Sequence, residues 1–143
     1  MVAEDGTDEV KIAICSVAEV DHVWPIVSES LRKASIRCGG EVDPIDHWRM
    51  CRSGSAFLVV AIQRSTILAA GVWRFEEWLT GKKLRCLAIA GGSMSVWYPS
   101  YREFIVKMAK IGHATSLVTD GRTGWQRIEP EAKVLRQLYE VKI

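Results

Sequence analysis

The chain has 143 residues, of which 48% are hydrophobic and 25% are charged. This balance excludes an intrinsically disordered chain, and the length predicts a single domain over residues 1–143. The formal net charge of +2 is too small to favour a nucleic-acid binder, which concentrates basic side chains on one face. The sequence has neither a signal-peptide pattern nor an apolar run of membrane-spanning length, so we expect a cytoplasmic protein without a membrane partner.

The cysteines and histidines argue against a metal site. Cys15, Cys38, Cys51 and Cys86 contain no C-x-x-C pair, and no histidine stands at a zinc-finger spacing from them. Cys15 and Cys86 lie in apolar, strand-like runs, which predicts buried thiols. We therefore expect no bound metal and a reducing compartment.

The first two predicted elements are a strand and a helix. Residues 10–15 alternate between polar and apolar side chains, which predicts a strand. Residues 22–38 repeat apolar side chains at helical spacing. Pro25 fits the first turn of this helix, where its missing N–H does no harm, and Gly39-Gly40 would end it.

A second helix and a three-stranded meander follow. The helix is predicted over residues 43–51, with Asp43 as its N-cap and a proline in the first position. Residues 56–63, 66–77 and 84–90 are apolar, strand-like runs separated by short turns. Such turns join antiparallel neighbours.

The stretch that follows the third of these strands is the centre of the chain. Gly91-Gly92-Ser93 interrupts the strand, and a helix is predicted from near Pro99 to Ile111. Glycines allow close backbone approach, and a helix N-terminus suits a phosphate. The same pattern also fits a tight connection without a ligand, and the residues alone leave both readings open.

The remaining elements are a strand, a short helix and a last strand. Residues 114–119 predict a strand that the preceding helix should place parallel to residues 84–90. A loop and short helix follow around Trp125, and Pro130 ends them. Residues 134–143 alternate and predict a final strand. We expect Trp125 to dock into the core, so that Trp125→Ala would cost roughly 3–5 kcal/mol.

The resulting order, β-α-α-β-β-β-α-β-α-β, resembles that of the GCN5-related N-acetyltransferase superfamily, in particular a divergent branch found in phages and prophages. This resemblance implies an α+β domain with a mixed sheet of six to seven strands and about four helices. The stretches that carry it are Phe57-Leu58-Val59-Val60-Ala61, Leu68-Ala69-Ala70-Gly71-Val72, Ala90-Gly91-Gly92 and Gly121-Arg122-Thr123-Gly124-Trp125-Gln126-Arg127.

The resemblance implies an acetyl-CoA site between the fourth and fifth strands. The pantetheine arm would follow the fourth strand, and the pyrophosphate would sit at the start of the next helix. Arg102, in the first turns of that helix, is either a second anchor for the phosphates or a solvated surface residue. The implied cofactor-binding residues are Leu87, Ala88, Ile89, Ala90, Gly91, Gly92, Ser93, Met94, Ser95, Trp97 and Arg102. The chain departs from the usual Gln/Arg-x-x-Gly-x-Gly/Ala loop, and its penultimate helix lacks the tyrosine that commonly protonates the leaving thiolate.

Glu76 and Glu77 are the candidate catalytic residues. They end the strand before the Gly81 turn, where a carboxylate could deprotonate an ammonium substrate directly or through water. Neighbouring strand residues face opposite sides, so at most one of them could face a cleft. The alternative is a solvated strand end.

Two functions therefore stand side by side. The first is an acyl-CoA-dependent N-acyltransferase that carries acetyl from acetyl-CoA to a small-molecule or protein amine by direct attack. The second is a non-catalytic protein of the same fold, such as a phage structural or accessory component, with a virion-associated location. Either function is compatible with a homo-oligomer. An open cleft between the strands at Leu84 and Ala114 would favour the first, and a cleft filled by Trp97 or Trp125 the second.

Overall fold

The computed structural model describes residues 8–38, 41–121 and 124–143, and these contain one five-stranded sheet. Its order is β1-β2-β3-β4-β5, with antiparallel pairs up to β4 and a parallel β4–β5 pair. The predicted meander and the predicted parallel crossover are confirmed. The strands are β1 (Lys11–Ile14), β2 (Phe57–Gln63), β3 (Thr66–Trp78), β4 (Gly81–Gly91) and β5 (Ser116–Thr119).

Four helices flank this sheet in the described part of the chain, and they cover both of its faces. They are α1 (Val17–Arg37), α2 (Pro44–Ser53), α3 (Met94–Ile111) and α4 (Trp125–Ile128). The order of elements agrees with the prediction as far as α4. The sheet has five strands where six to seven were expected.

The predicted start of α1 was wrong. The helix begins at Val17 because Ser16 and Glu19 form a capping box, in which each side chain accepts a hydrogen bond from the other residue's backbone N–H. Pro25 therefore lies inside the helix instead of in its first turn. Cys38 is the C-cap, and the Gly39-Gly40 pair that was predicted to end the helix lies outside the described residues.

The predicted start of α3 was also wrong. The helix begins at Met94, five residues before Pro99, and Ser93 is its N-cap. The extra turn carries Trp97, which is only 1% exposed, so tertiary packing holds the turn in place. Pro99, which the sequence suggested as a helix start, lies within the helix.

The predicted last strand is absent. Residues 133–143 contain no regular secondary structure, and every residue in this range is exposed. Alternation indicates that a segment can fit a half-buried surface, but a strand also needs a neighbouring edge to pair with. Within the described chain this segment has no such pairing.

The sheet lies between two layers of helices, and an apolar core fills the space on each of its faces. On one face of the sheet, α1 buries Val20, Val23, Val27 and Leu31 against Leu58, Val60 and Val72. On the other face, α3 buries Trp97, Tyr101, Ile105 and Ala109 against Val59, Trp73, Leu84 and Cys86. This packing fixes the positions of β4 and of the start of α3 relative to each other.

Candidate functional site

The two halves of β4 have different neighbours. Lys83 to Cys86 pair with Ser116 to Thr119 of β5, whereas Ala88 to Gly91 pair only with β3 in the described chain. The Thr119 hydroxyl donates to the Cys86 carbonyl at 3.3 Å, at the last paired position. Beyond that position the strands separate, and one side of the β4 backbone is left for another partner.

A β-bulge marks the point of separation. Val72 pairs with Ala88 and Trp73 with Cys86, so Leu87 is an extra residue on β4. A bulge bends its strand and redirects the groups beside it. Here the bend coincides with the end of the β4–β5 ladder, and it contributes to the gap between the two strands.

The gap is a cleft of about 290 Å³. This is close to the lower end of small-molecule sites, which begin at roughly 300 Å³. The end of α1, the open half of β4, the first turn of α3, the end of β5 and α4 all contribute to its lining. The lining residues are Ala34, Ser35, Arg37, Cys38, Leu87, Ala88, Ile89, Ala90, Gly91, Met94, Trp97, Thr119, Asp120, Gly124, Trp125 and Ile128.

Most of the implied cofactor-binding residues meet in this cleft. Leu87, Ala88, Ile89, Ala90, Gly91, Met94 and Trp97 line it, whereas Gly92, Ser93, Ser95 and Arg102 are not among the lining residues. Gly92, Ser93 and Ser95 continue the chain between lining residues, at the junction of β4 and α3. The structure thus brings the strand and the helix start together, as the resemblance implied.

The first turn of α3 presents backbone groups without a side-chain cap. Ser93 has a φ of 51° and makes no side-chain capping hydrogen bond. This left-handed conformation is strained for a residue other than glycine. The uncapped N–H groups and the helix dipole suit an anion at this end of the cleft.

The two glycines at the junction have different roles. A Cβ on Gly91 would lie 2.6 Å from the Cβ of Ala69 and 2.8 Å from the Leu68 carbonyl oxygen, so β3 requires a glycine there. A Cβ on Gly92 would meet nothing within 4 Å. Gly92 is therefore the position where a side chain could be added without disturbing the fold.

Two tryptophans line the cleft without filling it. Trp97 is buried, and its indole N–H donates to the Gly92 carbonyl at 2.6 Å.

Trp125 is half-buried and packs edge-on against Tyr98. A Cβ on Gly121 would lie 2.1 Å from the Trp125 ring, so a glycine is needed where this ring packs. The expected core position of Trp125 was wrong, because the ring is a wall of the cleft. Arg122 and Thr123 of the same motif lie outside the described residues.

Arg102 is engaged elsewhere. Its guanidinium forms an ion pair with Glu129, which also accepts a 2.8 Å hydrogen bond from the Tyr98 hydroxyl. Burial opposes ionisation of Glu129, but these hydrogen bonds and the Arg102 charge outweigh it and lower its pKa. Burial, together with Glu129, raises the pKa of Tyr98. Tyr98 and Arg102 thus join α3 to the segment that follows α4.

Neither candidate base lines the cleft. Glu77 is exposed, and Glu76 has 15% of its side chain exposed, held by Arg74, Arg85 and the indole N–H of Trp78. Burial acts to raise the pKa of Glu76, but its hydrogen bonds and the two arginines lower it overall. Glu76 pairs with Lys83, four residues before Leu87, which is ~13 Å along a strand. This carboxylate is a weakened base at a distance from the strand gap.

Sequence reasoning missed two charged residues of the cleft. Asp120 follows β5, lines the cleft and forms ion pairs with Arg85 and Arg136. Arg37, in the last turn of α1, also lines the cleft and has no carboxylate partner among the described residues. No local pattern indicates either role, because α1 and β5 meet only in the folded chain. The described residues contain no cluster of His, Cys, Asp or Glu that could hold a metal ion.

Comparison with known proteins shows the same fold in acetyltransferases. No protein-family model matches the chain, and no curated protein sequence matches it. Among solved structures, it is similar to a ribosomal-protein-alanine N-acetyltransferase from Brucella melitensis biovar Abortus 2308, with a TM-score of 0.66 and 11% identity over 94% of this chain and 100% of that one.

Two further structures are similar to this chain. A predicted acetyltransferase from Clostridium acetobutylicum, crystallised with acetyl-CoA, has a TM-score of 0.66 and 11% identity, over 94% of this chain and 96% of that one. An aminoglycoside acetyltransferase from an uncultured soil metagenomic sample has a TM-score of 0.65 and 10% identity, over 94% of this chain and 97% of that one. The chain therefore has the GCN5-related N-acetyltransferase fold. No helix in the described ranges is both long and apolar enough to cross a membrane.

Proposed function

We propose that this protein transfers an acetyl group from acetyl-CoA to an amine. The observation that carries the proposal is the open half of β4 beside the uncapped start of α3. The free strand edge offers hydrogen bonds to amides of a pantetheine arm, and the helix start suits a pyrophosphate. Arg37 adds a cation at the same cleft. A neighbour of the same fold was crystallised with acetyl-CoA.

The reaction needs little from the protein beyond positioning. The neutral amine nitrogen attacks the thioester carbonyl carbon and a C–N bond forms. The nitrogen then loses a proton to water, and the C–S bond breaks to release the coenzyme A thiolate. Backbone N–H groups of the open half of β4 could donate to the carbonyl oxygen as it gains charge. An alkyl thiolate is a good leaving group, because its thiol is far more acidic than an alcohol, with a pKa of about 8.5 for cysteine; water can therefore supply its proton, and the missing tyrosine is not required.

Asp120 is the best-placed acceptor for the amine's proton. It is the only carboxylate among the described residues that line the cleft, whereas Glu76 and Glu77 do not line it. We propose that Asp120 attracts the ammonium form of the substrate and takes its proton directly or through water. Glu76 would then contribute by pairing with Arg85, which also holds Asp120.

The test is a titration followed by turnover. Isothermal titration of the intact protein with coenzyme A and acetyl-CoA should show binding, and thiol release should depend on an added amine from a panel of small amines and peptides. Asp120→Asn should keep the affinity for acetyl-CoA and lower turnover roughly 100-fold, the scale of one acid–base group. Asp46→Asn, which alters an exposed ion pair with Arg49, is the matched control and should leave both unchanged.

No heat and no thermal shift at millimolar coenzyme A would overturn the proposal. That result would leave the alternative, a non-catalytic protein of this fold. We also propose, from the resemblance of residues 121–127, that the chain belongs to the phage or prophage branch, with a cytoplasmic or virion-associated location.

A further inference from the structure

A second cavity lies between α1 and α2, and the proposed acetyl transfer does not use it. Its volume is about 360 Å³, which is within the range of small-molecule sites. We call it the α1–α2 groove: Trp24 of α1 and Trp48 of α2 line it, together with the charged residues Glu29, Arg32 and Asp43. No residue of a strand lines this groove, and it shares no lining residue with the cleft beside β4.

The two tryptophans give the groove an aromatic surface that is already held in place. Trp24 and Trp48 are half-buried, and both pack against the core beneath α1. The indole N–H of Trp48 donates to the Asp21 carboxylate at 3.1 Å, which fixes the orientation of this ring. Little conformational entropy is therefore lost when a ligand contacts the rings.

The charges that line the groove leave a net negative charge. Arg32 donates two hydrogen bonds to Glu29, at 2.9 Å and 3.1 Å, so these two charges balance each other. One oxygen of the Asp43 carboxylate accepts from the Ile45 backbone N–H at 2.9 Å. Asp43 has no cationic partner among the residues that the structure describes, so a ligand that carries a positive charge complements the groove.

One of the two rings already has a cation of the chain beside it. The Arg52 guanidinium carbon lies 5.3 Å from the centre of the Trp48 ring, within the range of a cation–π interaction. Arg52 does not line the groove, so the part of Trp48 that faces the groove stays accessible. Aromatic rings attract organic ammonium ions in the same way, and the alkyl groups of such an ion also gain apolar contact.

We propose that the α1–α2 groove binds an organic ammonium ion, with Trp24 and Trp48 in contact with its alkyl groups and Asp43 balancing its charge. This site is independent of the proposed acetyl transfer. A quaternary ammonium ion has no N–H to lose, so it cannot be an acceptor amine. Binding of such an ion therefore tests the groove alone, and coenzyme A titration tests the cleft alone.

The experiment is a nuclear magnetic resonance titration that follows the six indole N–H groups of the full-length protein. The probe is tetramethylammonium chloride, exchanged for sodium chloride at constant ionic strength. The signals of Trp24 and Trp48 should shift and reach saturation, whereas that of Trp73, which is buried under α3, should not move. tert-Butanol has a similar shape without the charge and should bind at least about tenfold more weakly.

Three variants then test which carboxylate is responsible. Asp43→Asn keeps a residue that can cap α2, so the helix should stay folded while the affinity for tetramethylammonium falls roughly three- to fivefold. Asp46→Asn removes an equal charge from the same turn, outside the groove lining, and should leave the affinity unchanged. Asp120→Asn removes the carboxylate of the cleft and should not affect the shifts of Trp24 and Trp48.

Four results would overturn the proposal. The first is the lack of a saturable shift of Trp24 and Trp48 at about 100 mM tetramethylammonium. The second is equal affinity for tert-butanol, which would show that the charge has no part in binding. The third is an equal loss in Asp43→Asn and Asp46→Asn, which would show an effect of overall charge. The fourth is a shift confined to Trp125, which would place the cation in the cleft.

Discussion

The two halves of β4 belong to one continuous strand, but they have different neighbours. Gly81 to Cys86 have strands on both sides over most of their length, and Leu84 and Cys86 are buried under α3. Ala88 to Gly91 have a strand on one side and a cleft on the other. Backbone groups that a sheet leaves unpaired beside a cavity remain free for a ligand. The first half is therefore part of the packed sheet, and the second is where we propose that coenzyme A binds.

The largest expected effect falls on the paired half. Leu84→Ala removes a side chain with no exposed surface and should lower the free energy of unfolding by about 2–5 kcal/mol. Ile89→Ala, in the open half, removes a partly exposed side chain and should cost less. Urea denaturation measures both. Equal losses would show that the two halves do not differ in packing.

In the open half, Gly92→Val should weaken coenzyme A binding without lowering stability. There is room for the Cβ, so the melting temperature should stay nearly constant. The branched side chain would occupy the approach to the start of α3, so coenzyme A should bind at least about tenfold more weakly, or about 1.4 kcal/mol. Titration calorimetry of both proteins is the measurement. Unchanged binding would place the ligand elsewhere.

Trp125→Ala should have a moderate effect on stability. The ring is half-buried against Tyr98, so the loss should be about 1–2 kcal/mol instead of the 3–5 kcal/mol of a core aromatic. The same change widens the cleft and should alter coenzyme A affinity. Thermal unfolding measures the effect on stability, and titration measures the effect on affinity. A decrease in the free energy of unfolding above about 3 kcal/mol would indicate that Trp125 is a core residue after all.

The smallest expected effect is that of Arg37→Ala. Removing a single exposed cation near bound phosphates should weaken coenzyme A binding a few-fold, by ~1 kcal/mol, and the difference should shrink at high salt. Lys33→Ala removes an equal charge one turn earlier on α1, outside the cleft lining, and is the matched control. If Arg37→Ala and Lys33→Ala bind coenzyme A with the same affinity, the weakening is due to the overall charge, and Arg37 does not contact the ligand.

The amino-acid sequence was sufficient for the central sheet. Two short turns and a helical crossover specify the antiparallel β2–β3–β4 meander and the parallel β4–β5 pair, and both are confirmed. Asp43 and Pro44 marked the start of α2 because their effect is local. The starts of α1 and α3 differ from the prediction because a proline fits a first turn but does not fix the start of a helix. In the structure, a capping box and the burial of Trp97 extend these helices past their prolines.

The site divides in the same way. The sequence by itself determined the junction of β4 and α3, because glycines and a strand–helix change are visible in neighbouring residues. Only the tertiary structure brought Arg37, Asp120 and Trp125 to that junction, since Arg37 ends α1 and the other two follow β5, both far along the chain from the junction. The sequence likewise determined that residues 134–143 alternate. In the described chain these residues pair with no strand, which alternation alone does not reveal, because backbone hydrogen bonds between strands require a neighbour.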